Sequence, residues 1–333
     1  MLSTGSKAVA DYVKNAHAAG LIFPIPTELF SVPDESNNVQ FAVQVATSLR
    51  EKKKKTIERQ NSGEFFDPFE DPDPQMLINT TLPLAPKHRL MFNKYNVCDT
   101  HFLLITSDFR FQGARLTSSD LAATYHCVKE FDAVAAYNSG PGSGGSQPHK
   151  HIHILPQPLV PAHRDLPMDT LVDGPSDKTI RVNLPFEHAA IMFGEDFPFT
   201  EENVKVAYTR LLRALERYLP IAEVPIQRLH DRIGMSPPSP CVHAAMFPGV
   251  QTPTASCVMG SYNMILTSSH MLIVPRSHEH VELAGESISF NAISFTGLLF
   301  LPPTGADLLA ALRERGVWKC FESITFPRDD LRH

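Results

Sequence analysis

Apolar and polar residues alternate along several short segments of the chain, and this pattern predicts β-strands. Between Val39 and Val45 every second residue is apolar, the period of a strand with one buried face. The turn-forming residues Asn96 and Asp99 separate two further segments of this kind, which favours an antiparallel hairpin. The predicted strands are residues 39–45, 76–81, 88–95, 100–106, 133–137, 150–155, 188–193, 262–266 and 271–274, with a further extended segment at 287–295.

A smaller number of segments carry helical periodicity. Thr117 and Asp120 have the spacing of a capping box at the start of one helix. Thr200 precedes two glutamates that favour the positive end of a second helix dipole. Residues 6–19 and 305–315 are predicted helices as well. Strands joined by short turns, with helices inserted between them, indicate an α+β fold and not a parallel doubly wound sheet.

Composition and charge exclude several classes of protein. The 333 residues carry 36 acidic and 30 basic side chains, a net charge of −6, so we expect no nucleic-acid partner. No apolar run approaches the roughly 20 residues of a membrane helix, and the N-terminus lacks a secretory signal. Five cysteines without CxxC spacing argue against disulfides and a cysteine zinc site. We therefore expect a soluble protein of the cytoplasm, with the nucleus as a second location.

The most informative segment is a predicted strand with alternating histidines. His149, His151 and His153 occupy every second position, so their side chains share one face of the strand. An imidazole nitrogen can attack phosphorus and form a phosphoramidate, while neighbouring imidazoles donate protons or hydrogen bonds. Zinc binding is the alternative, but same-face positions lie about 6.6 Å apart along a strand, so we expect no metal ion held by these residues.

A loop rich in glycine and serine directly precedes the histidines. Glycines allow several backbone N–H groups to point into one concavity, and serine hydroxyls add donors that suit phosphate oxygens. The loop has no P-loop spacing, and a flexible hairpin is the alternative interpretation. Its position beside the histidine strand favours phosphate binding. The loop contains Ser139, Gly140, Gly142, Ser143, Gly144, Gly145, Ser146 and Gln147.

These segments carry a resemblance to a known family. Residues 149–155 are similar to the histidine-triad signature, and residues 138–151, including the unusual Lys150, resemble the corresponding loop of diadenosine tetraphosphate phosphorylases. Residues 101–106, 261–267 and 271–277 resemble other strands of that family. The resemblance extends over roughly residues 40 to 300 and points to the branch that is similar to galactose-1-phosphate uridylyltransferases.

The resemblance implies a histidine-triad-like antiparallel sheet with flanking helices, elaborated by a C-terminal half. We expect an N-terminal extension at residues 1–37, a catalytic core at 38–195 and a C-terminal half at 196–333 that completes the sheet and the active site. The implied enzyme is a monomeric nucleotidyltransferase that phosphorolyses diadenosine tetraphosphate to ATP and ADP. It would use inorganic phosphate and no organic cofactor, and we expect a divalent cation, Mg²⁺, to accompany the polyphosphate.

The resemblance also implies roles for individual residues. His151, the middle histidine, becomes the nucleophile that holds AMP, and His149 and His153 complete the catalytic group. A lysine of the run 52–55, represented by Lys54, would contact polyphosphate, although a solvated charge run is the alternative. Arg276 is a candidate because a guanidinium can clamp a phosphate with two hydrogen bonds. The full set of expected substrate-binding residues is Asn138, Gly140, Ser143, Gly144, Gly145, Ser146, Gln147, Lys54, Asn93 and Arg276.

Two departures from the family pattern stand out. The chain has Asp67-Pro68-Phe69 where the family typically has Asn-Pro-Phe. It also has His153 where phosphorylases often place glutamine and hydrolases place histidine, which keeps a hydrolase producing ATP and AMP as an alternative. A nucleotide-binding sensor without turnover is a third hypothesis. The remaining histidines, among them His88 and His101, are interpreted as surface or core residues.

Overall fold

A seven-stranded antiparallel sheet forms the centre of the protein in the computed structural model. The structure describes residues 13–34, 38–47, 67–78, 80, 82–96, 98, 100–160, 166–225, 255–303 and 305–328. The strand order is β3-β4-β6-β5-β10-β11-β7, and every neighbouring pair is antiparallel. These strands are β3 (His88–Phe92), β4 (Phe102–Thr106), β5 (Ala133–Ser139), β6 (His151–Pro156), β7 (Ala189–Met192), β10 (Tyr262–Leu266) and β11 (His270–Pro275).

Among the described residues, three smaller sheets accompany the central one. In the three-stranded sheet, β2 pairs with β1 in antiparallel fashion and with β14 in parallel fashion. The parallel pair joins the two ends of the described chain, because β2 and β14 are far apart in sequence. The strands are β1 (Thr27–Asp34), β2 (Val39–Ala46) and β14 (Leu298–Leu301); β12 (His280–Leu283) pairs with β13 (Glu286–Ser289), and β8 (Ile221–Pro225) with β9 (Ala255–Met259).

The helices begin where the sequence predicts caps. The Thr117 hydroxyl accepts from the Asp120 N–H and the Asp120 carboxylate accepts from the Thr117 N–H, which confirms the capping box. Thr200 likewise caps the second helix through the Asn203 N–H. Residues 13–18 are helical, and residues 1–12 lie outside the described part. The helices are α1 (Ser118–Phe131), α2 (Glu201–Ala214), α3 (Gly305–Arg315) and α4 (Val317–Ile324).

Two sequence predictions of extended structure are wrong. Residues 76–81 form no strand in their described part: Met76 ends a one-turn 3₁₀ helix whose start is capped by the Asp73 carboxylate, and only an isolated bridge follows. The segment 287–295 divides, because the Asn291 side chain caps a second 3₁₀ helix after β13. In both cases a side chain that binds a nearby backbone N–H outcompetes the sheet.

Each face of the central sheet is covered by its own hydrophobic core. On one face, Leu121 of α1 and Leu211 of α2 pack with Ile152 of β6. On the other, Phe41 of β2 packs with Phe321 of α4 and with sheet residues. Burial of each such side chain contributes about 1.5 to 3 kcal/mol. These two layers hold β6, the histidine strand, rigidly at the centre of the fold.

Candidate active site

The three histidines lie on β6 and directly before it, between β4 and β5. His153 lies opposite Leu103 of β4 and Ala136 of β5. The ring centroids of His151 and His153 are 5.3 Å apart, and Phe69 contacts the rings of both His149 and His151. The prediction that the three imidazoles share one side of the strand is confirmed.

The opposite side of this segment carries a buried ionic network. Lys150 donates to the Asp120 carboxylate over 3.1 Å and to the Arg115 carbonyl over 3.0 Å. His88 lies 2.7 Å from the other Asp120 oxygen. Burial alone would raise the pKa of Asp120, but the His88 hydrogen bond and the Lys150 charge hold it well below its usual range. Lys150 therefore ties β6 to the start of α1, and His88 is a core histidine as predicted.

His151 has a defined tautomer. Its Nδ1 lies 2.9 Å from the backbone oxygen of His149, and a carbonyl can only accept, so the proton is on Nδ1 and the lone pair on Nε2. Burial lowers the pKa of His151 to about 4, an effect that the hydrogen bond to the His149 carbonyl partly offsets. The ring is consequently neutral at neutral pH. In the described part of the chain, no protein group lies within hydrogen-bonding distance of Nε2, so this lone pair is available to a ligand.

Gln112 clamps the backbone on which His151 is carried. Its Oε1 accepts from the His151 N–H over 2.7 Å, and its Nε2 donates to the His151 carbonyl over 3.1 Å and to the Asn138 carbonyl over 2.8 Å. The hydroxyl of Tyr137 donates in turn to the Gln112 carbonyl. The position of the His151 backbone is therefore fixed from β5 and from the loop after β4. Sequence reasoning missed Gln112, because a lone glutamine in a loop gives no signal of a partner 39 residues away.

His149 is fully buried and contacts Asp67. Its Nδ1 lies 2.6 Å from a carboxylate oxygen of Asp67. Its Nε2 lies 2.9 Å from the backbone oxygen and 3.0 Å from the hydroxyl of Thr106. Phe69 and Phe109 pack edge-on against the ring. The departure from Asn-Pro-Phe noted in the sequence therefore places an acid on the first histidine of the group.

His153 belongs to a chain of polar side chains that crosses the sheet. The Asn138 Nδ2 lies 3.3 Å from His153 Nε2, and His153 Nδ1 lies 2.8 Å from His101 Nε2. The orientation of Asn138 is set because its Oδ1 accepts from the Ala292 N–H over 2.7 Å. His153 Nε2 thus accepts and its Nδ1 donates. Burial holds the pKa of His153 well below its usual value, and burial together with neighbouring His151 lowers that of His101 to about 3.

His101 and Asn93 complete this chain at its outer end. The Asn93 side-chain amide lies 3.1 Å from His101 Nδ1. His101 is a buried, hydrogen-bonded core histidine, as predicted, and its ring contacts His153 directly. The pairing of β4 with β6 brings the two rings together, and no local sequence pattern indicates it. A contact of Asn93 with substrate stays a prediction.

Arg276 is a structural residue and does not clamp a phosphate. It is only 3% exposed, and all five guanidinium N–H groups donate to protein oxygens, one of them Asn263 Oδ1 at 2.5 Å. Asn263 in turn donates from its Nδ2 to Asn138 Oδ1 over 2.8 Å, so Arg276 also stabilises the position of Asn138. The sequence-based expectation for Arg276 is therefore wrong, because burial commits every donor. Its other acceptors are the carbonyls of Phe290, Ile324, His278 and Glu279.

The glycine loop is closely packed against the C-terminal half. Gly140 and Gly144 have φ angles of +82° and +84°, which only glycine adopts without strain. A Cβ on Gly144 would lie 2.9 Å from the Asn291 side chain. The Ser143 hydroxyl donates to the Gly140 carbonyl over 2.8 Å and so stabilises the loop itself. Phosphate contacts of Gly140, Ser143, Gly144, Gly145, the exposed Ser146 and Gln147 remain predictions.

Some expectations lie beyond what the structure describes. Lys54 and the rest of the run 52–55 are outside the described residues. Within the described ranges, no three or more His, Cys, Asp and Glu side chains are arranged to hold a metal ion. No helix among those same residues combines the length and apolar character needed to cross a bilayer.

Two family models match the chain and together extend over both halves. The model of the Ap4A phosphorylase N-terminal domain matches residues 3–174, more than half of the chain. The model of the ATP adenylyltransferase C-terminal domain matches residues 182–327. The chain belongs to the Ap4A phosphorylase family. Ap4A phosphorylases are ATP adenylyltransferases, so this member is a nucleotidyltransferase.

Relatives of this Ap4A phosphorylase family member are found in yeast. The chain is 29% identical to diadenosine 5',5'''-P1,P4-tetraphosphate phosphorylase 2 of Saccharomyces cerevisiae, over 74% of this chain and 71% of the relative. It is 25% identical to Protein APA1 of the same organism over 87% and 84%. The structure of yeast Ap4A phosphorylase Apa2 in complex with Ap4A superposes with a TM-score of 0.69 at 22% identity, covering 98% and 99% of the two chains. The predicted α+β fold is confirmed.

Proposed function

We propose that this protein phosphorolyses diadenosine tetraphosphate to ATP and ADP through an adenylyl group held on His151. In the first step the Nε2 lone pair attacks the phosphorus next to one adenosine. A phosphorus–nitrogen bond forms, the bond to the bridging oxygen breaks, and ATP leaves. In the second step an oxygen of inorganic phosphate attacks the same phosphorus, the phosphorus–nitrogen bond breaks, and ADP leaves.

The observation that carries this proposal is the state of His151. The His149 carbonyl holds the proton of the His151 ring on Nδ1. Nε2 therefore carries a lone pair, and this lone pair has no protein partner among the described residues. Since burial keeps the ring neutral near pH 7, no deprotonation step precedes attack. The hydrogen bonds of Gln112 fix the backbone of His151. The ring is therefore already oriented before the reaction, and less entropy is lost in reaching the transition state.

The residues around His151 have distinct roles in this proposal. Backbone N–H groups of the loop from Gly144 to Gln147 bind phosphate oxygens, together with the exposed Ser146 hydroxyl. Mg²⁺ enters with the polyphosphate and neutralises part of its charge, and a lysine of the run 52–55 adds to this. His153 positions the neighbouring network and does not donate to substrate, since both of its ring nitrogens have protein partners.

Hydrolysis is the second candidate because histidine, and not glutamine, occupies position 153. In a hydrolase, water would take the place of phosphate in the second step, and the products would be ATP and AMP. The network around His153 favours phosphorolysis. With Nε2 accepting from Asn138 and Nδ1 donating to His101, this ring has no free proton or lone pair with which to activate water.

Product analysis separates these functions. We would incubate the protein with diadenosine tetraphosphate in the presence or absence of ³²P-labelled inorganic phosphate and separate the nucleotides. Phosphorolysis places the label in the β-phosphate of ADP and requires phosphate. Formation of AMP in the absence of phosphate would show that the protein is a hydrolase. Nucleotide binding without any product would show that it is a sensor.

The covalent step has its own test. His151→Ala should lower kcat by about a thousandfold or more while diadenosine tetraphosphate still binds, because the nucleophile is lost and the loop is kept. His280→Ala is the matched control, since that ring is 47% exposed. Wild-type protein incubated with substrate and without phosphate should gain the mass of one adenylyl group. A His151→Ala variant that keeps a tenth of wild-type activity would contradict the covalent role.

A further inference from the structure

We propose that Asp67 is a positioning residue that holds His149 as a buried imidazolium and thereby fixes the orientation of the nucleophile. This inference rests on the proposed function of His151. Asp67 approaches His149 from a loop far upstream in the chain, and its carboxylate is 5% exposed while the His149 ring is fully buried. Neither group reaches a surface that a substrate could contact directly, so the pair acts through His151.

The hydrogen-bond partners of His149 determine its charge. Nε2 lies 2.9 Å from the Thr106 carbonyl oxygen, which can only accept, so Nε2 carries a proton. Nδ1 lies 2.6 Å from the Asp67 carboxylate oxygen, and an ionised carboxylate also only accepts. Both ring nitrogens therefore donate, which makes the ring a cation paired with Asp67. The 2.6 Å distance is short, as charge-assisted hydrogen bonds are.

A neutral ring is the competing arrangement, and the geometry disfavours it. The Thr106 hydroxyl, 3.0 Å from Nε2, could donate to an unprotonated Nε2. That arrangement would place the Nε2 lone pair 2.9 Å from the lone pairs of the Thr106 carbonyl. A protonated Nε2 instead donates to both oxygens at once. The close carbonyl thus keeps a proton on Nε2, and the ionised Asp67 carboxylate keeps the second proton on Nδ1.

The pair of Asp67 and His149 affects catalysis through the backbone carbonyl of His149. The His149 carbonyl is the group that keeps the proton on His151 Nδ1 and so directs the Nε2 lone pair outwards. Asp67 and Thr106 hold the His149 ring from two sides, which immobilises the residue that carries this carbonyl. Phe69, whose N–H donates to Asp67 over 2.9 Å, packs against the rings of both histidines and closes the arrangement. Loss of the Asp67 charge should therefore lower kcat more than it alters substrate binding.

Asp67→Asn is the decisive variant because it keeps the shape and one acceptor but removes the charge. We would label the histidines with ¹⁵N and record the protonation of both ring nitrogens by NMR between pH 6 and 8, assigning His149 as the signal lost in His149→Asn. We expect two protonated nitrogens in wild type and one in Asp67→Asn. The kcat should fall about tenfold to a hundredfold with KM within about threefold. Asp71→Asn, an exposed acid of the same loop, is the control and should change neither.

Two results would overturn the proposal. One is a wild-type His149 with a single ring proton near pH 7; the other is an Asp67→Asn variant with wild-type kcat and spectrum. If Asp67→Asn does not fold, the wild-type spectrum decides, and Thr106→Val should retain both ring protons because the carbonyl acceptor remains. Failure of the proposed function would show instead as AMP among the wild-type products, which leaves the NMR result unaffected.

Discussion

Replacement of Arg276 by lysine should destabilise the fold and leave substrate affinity almost unchanged. The guanidinium is buried and donates all five of its N–H groups, four of them to backbone carbonyls and one to Asn263. Burial lowers its pKa to about 9, which still leaves the group charged at neutral pH. A lysine has three donors on a single nitrogen, so at least two of the five acceptors lose their partner.

The size of the effect follows from these unsatisfied acceptors. Each buried acceptor without a donor costs about 1 to 3 kcal/mol, so two of them give roughly 2 to 4 kcal/mol after partial relaxation. That is a large share of the 5 to 15 kcal/mol typical of a folded protein. Because Asn263 supports Asn138, and Asn138 contacts His153, kcat should also fall. KM for diadenosine tetraphosphate should stay within about threefold.

Urea unfolding and steady-state kinetics on the same preparations provide the assay. Arg210→Lys is the control, because its ion pair with Asp177 is exposed and should contribute less than about 1 kcal/mol. An Arg276→Lys variant of wild-type stability whose KM rises tenfold or more would refute the reasoning. Such a result would indicate that Arg276 binds a phosphate of the substrate, as its residue type suggests.

Three further predictions concern pH, the polar chain and the lysine run. The pKa of His151 is lowered to about 4, so between pH 6.5 and 4 its unfolded form binds a proton that the folded one does not. Across that interval the unfolding free energy measured in urea should fall by roughly 3 kcal/mol more in wild type than in His151→Ala, and equal falls would contradict a neutral buried ring. Asn138→Asp removes the donor to His153 Nε2 and should lower kcat about tenfold to a hundredfold, whereas a change under twofold would show that the contact is dispensable. Neutralising lysines 52–55 should raise KM for diadenosine tetraphosphate more than for ADP in the reverse direction, and equal effects would indicate a merely solvated run.

The sequence pattern predicted those helices and strands that are determined by residues close together in the chain. The helix that begins after Thr200 and the hairpin of β10 and β11 follow from a cap, an apolar stripe and an alternation within about fifteen residues. The strand expected at 76–81 failed because the Asp73 cap, itself a local signal, favours a 3₁₀ turn that alternation does not register. The parallel pairing of β14 with β2 has no local signal at all, since its partners come from opposite ends of the described chain.

The same distinction applies to the candidate site. The shared side of His149, His151 and His153 was predictable because strand geometry alone determines it. The contact between His101 and His153 was not, since the two residues are 52 positions apart and only the order of strands brings them together. Arg276 was misread for the same reason: residue type indicates what a guanidinium can bind, but only the three-dimensional structure shows which oxygens surround it.

The central position of the β5–β10 pair has a consequence for how the chain reaches this structure. These strands are adjacent in the sheet, yet paired residues such as Asn138 and Asn263 are 125 positions apart. During synthesis, β5 is complete long before β10 leaves the ribosome, so an open strand edge that includes the Asn138 backbone waits for its partner. Such an edge can pair with another chain, and closing so long a loop slows folding. The active site is therefore assembled late, and nascent chains at high concentration face a risk of misassociation that the finished enzyme does not.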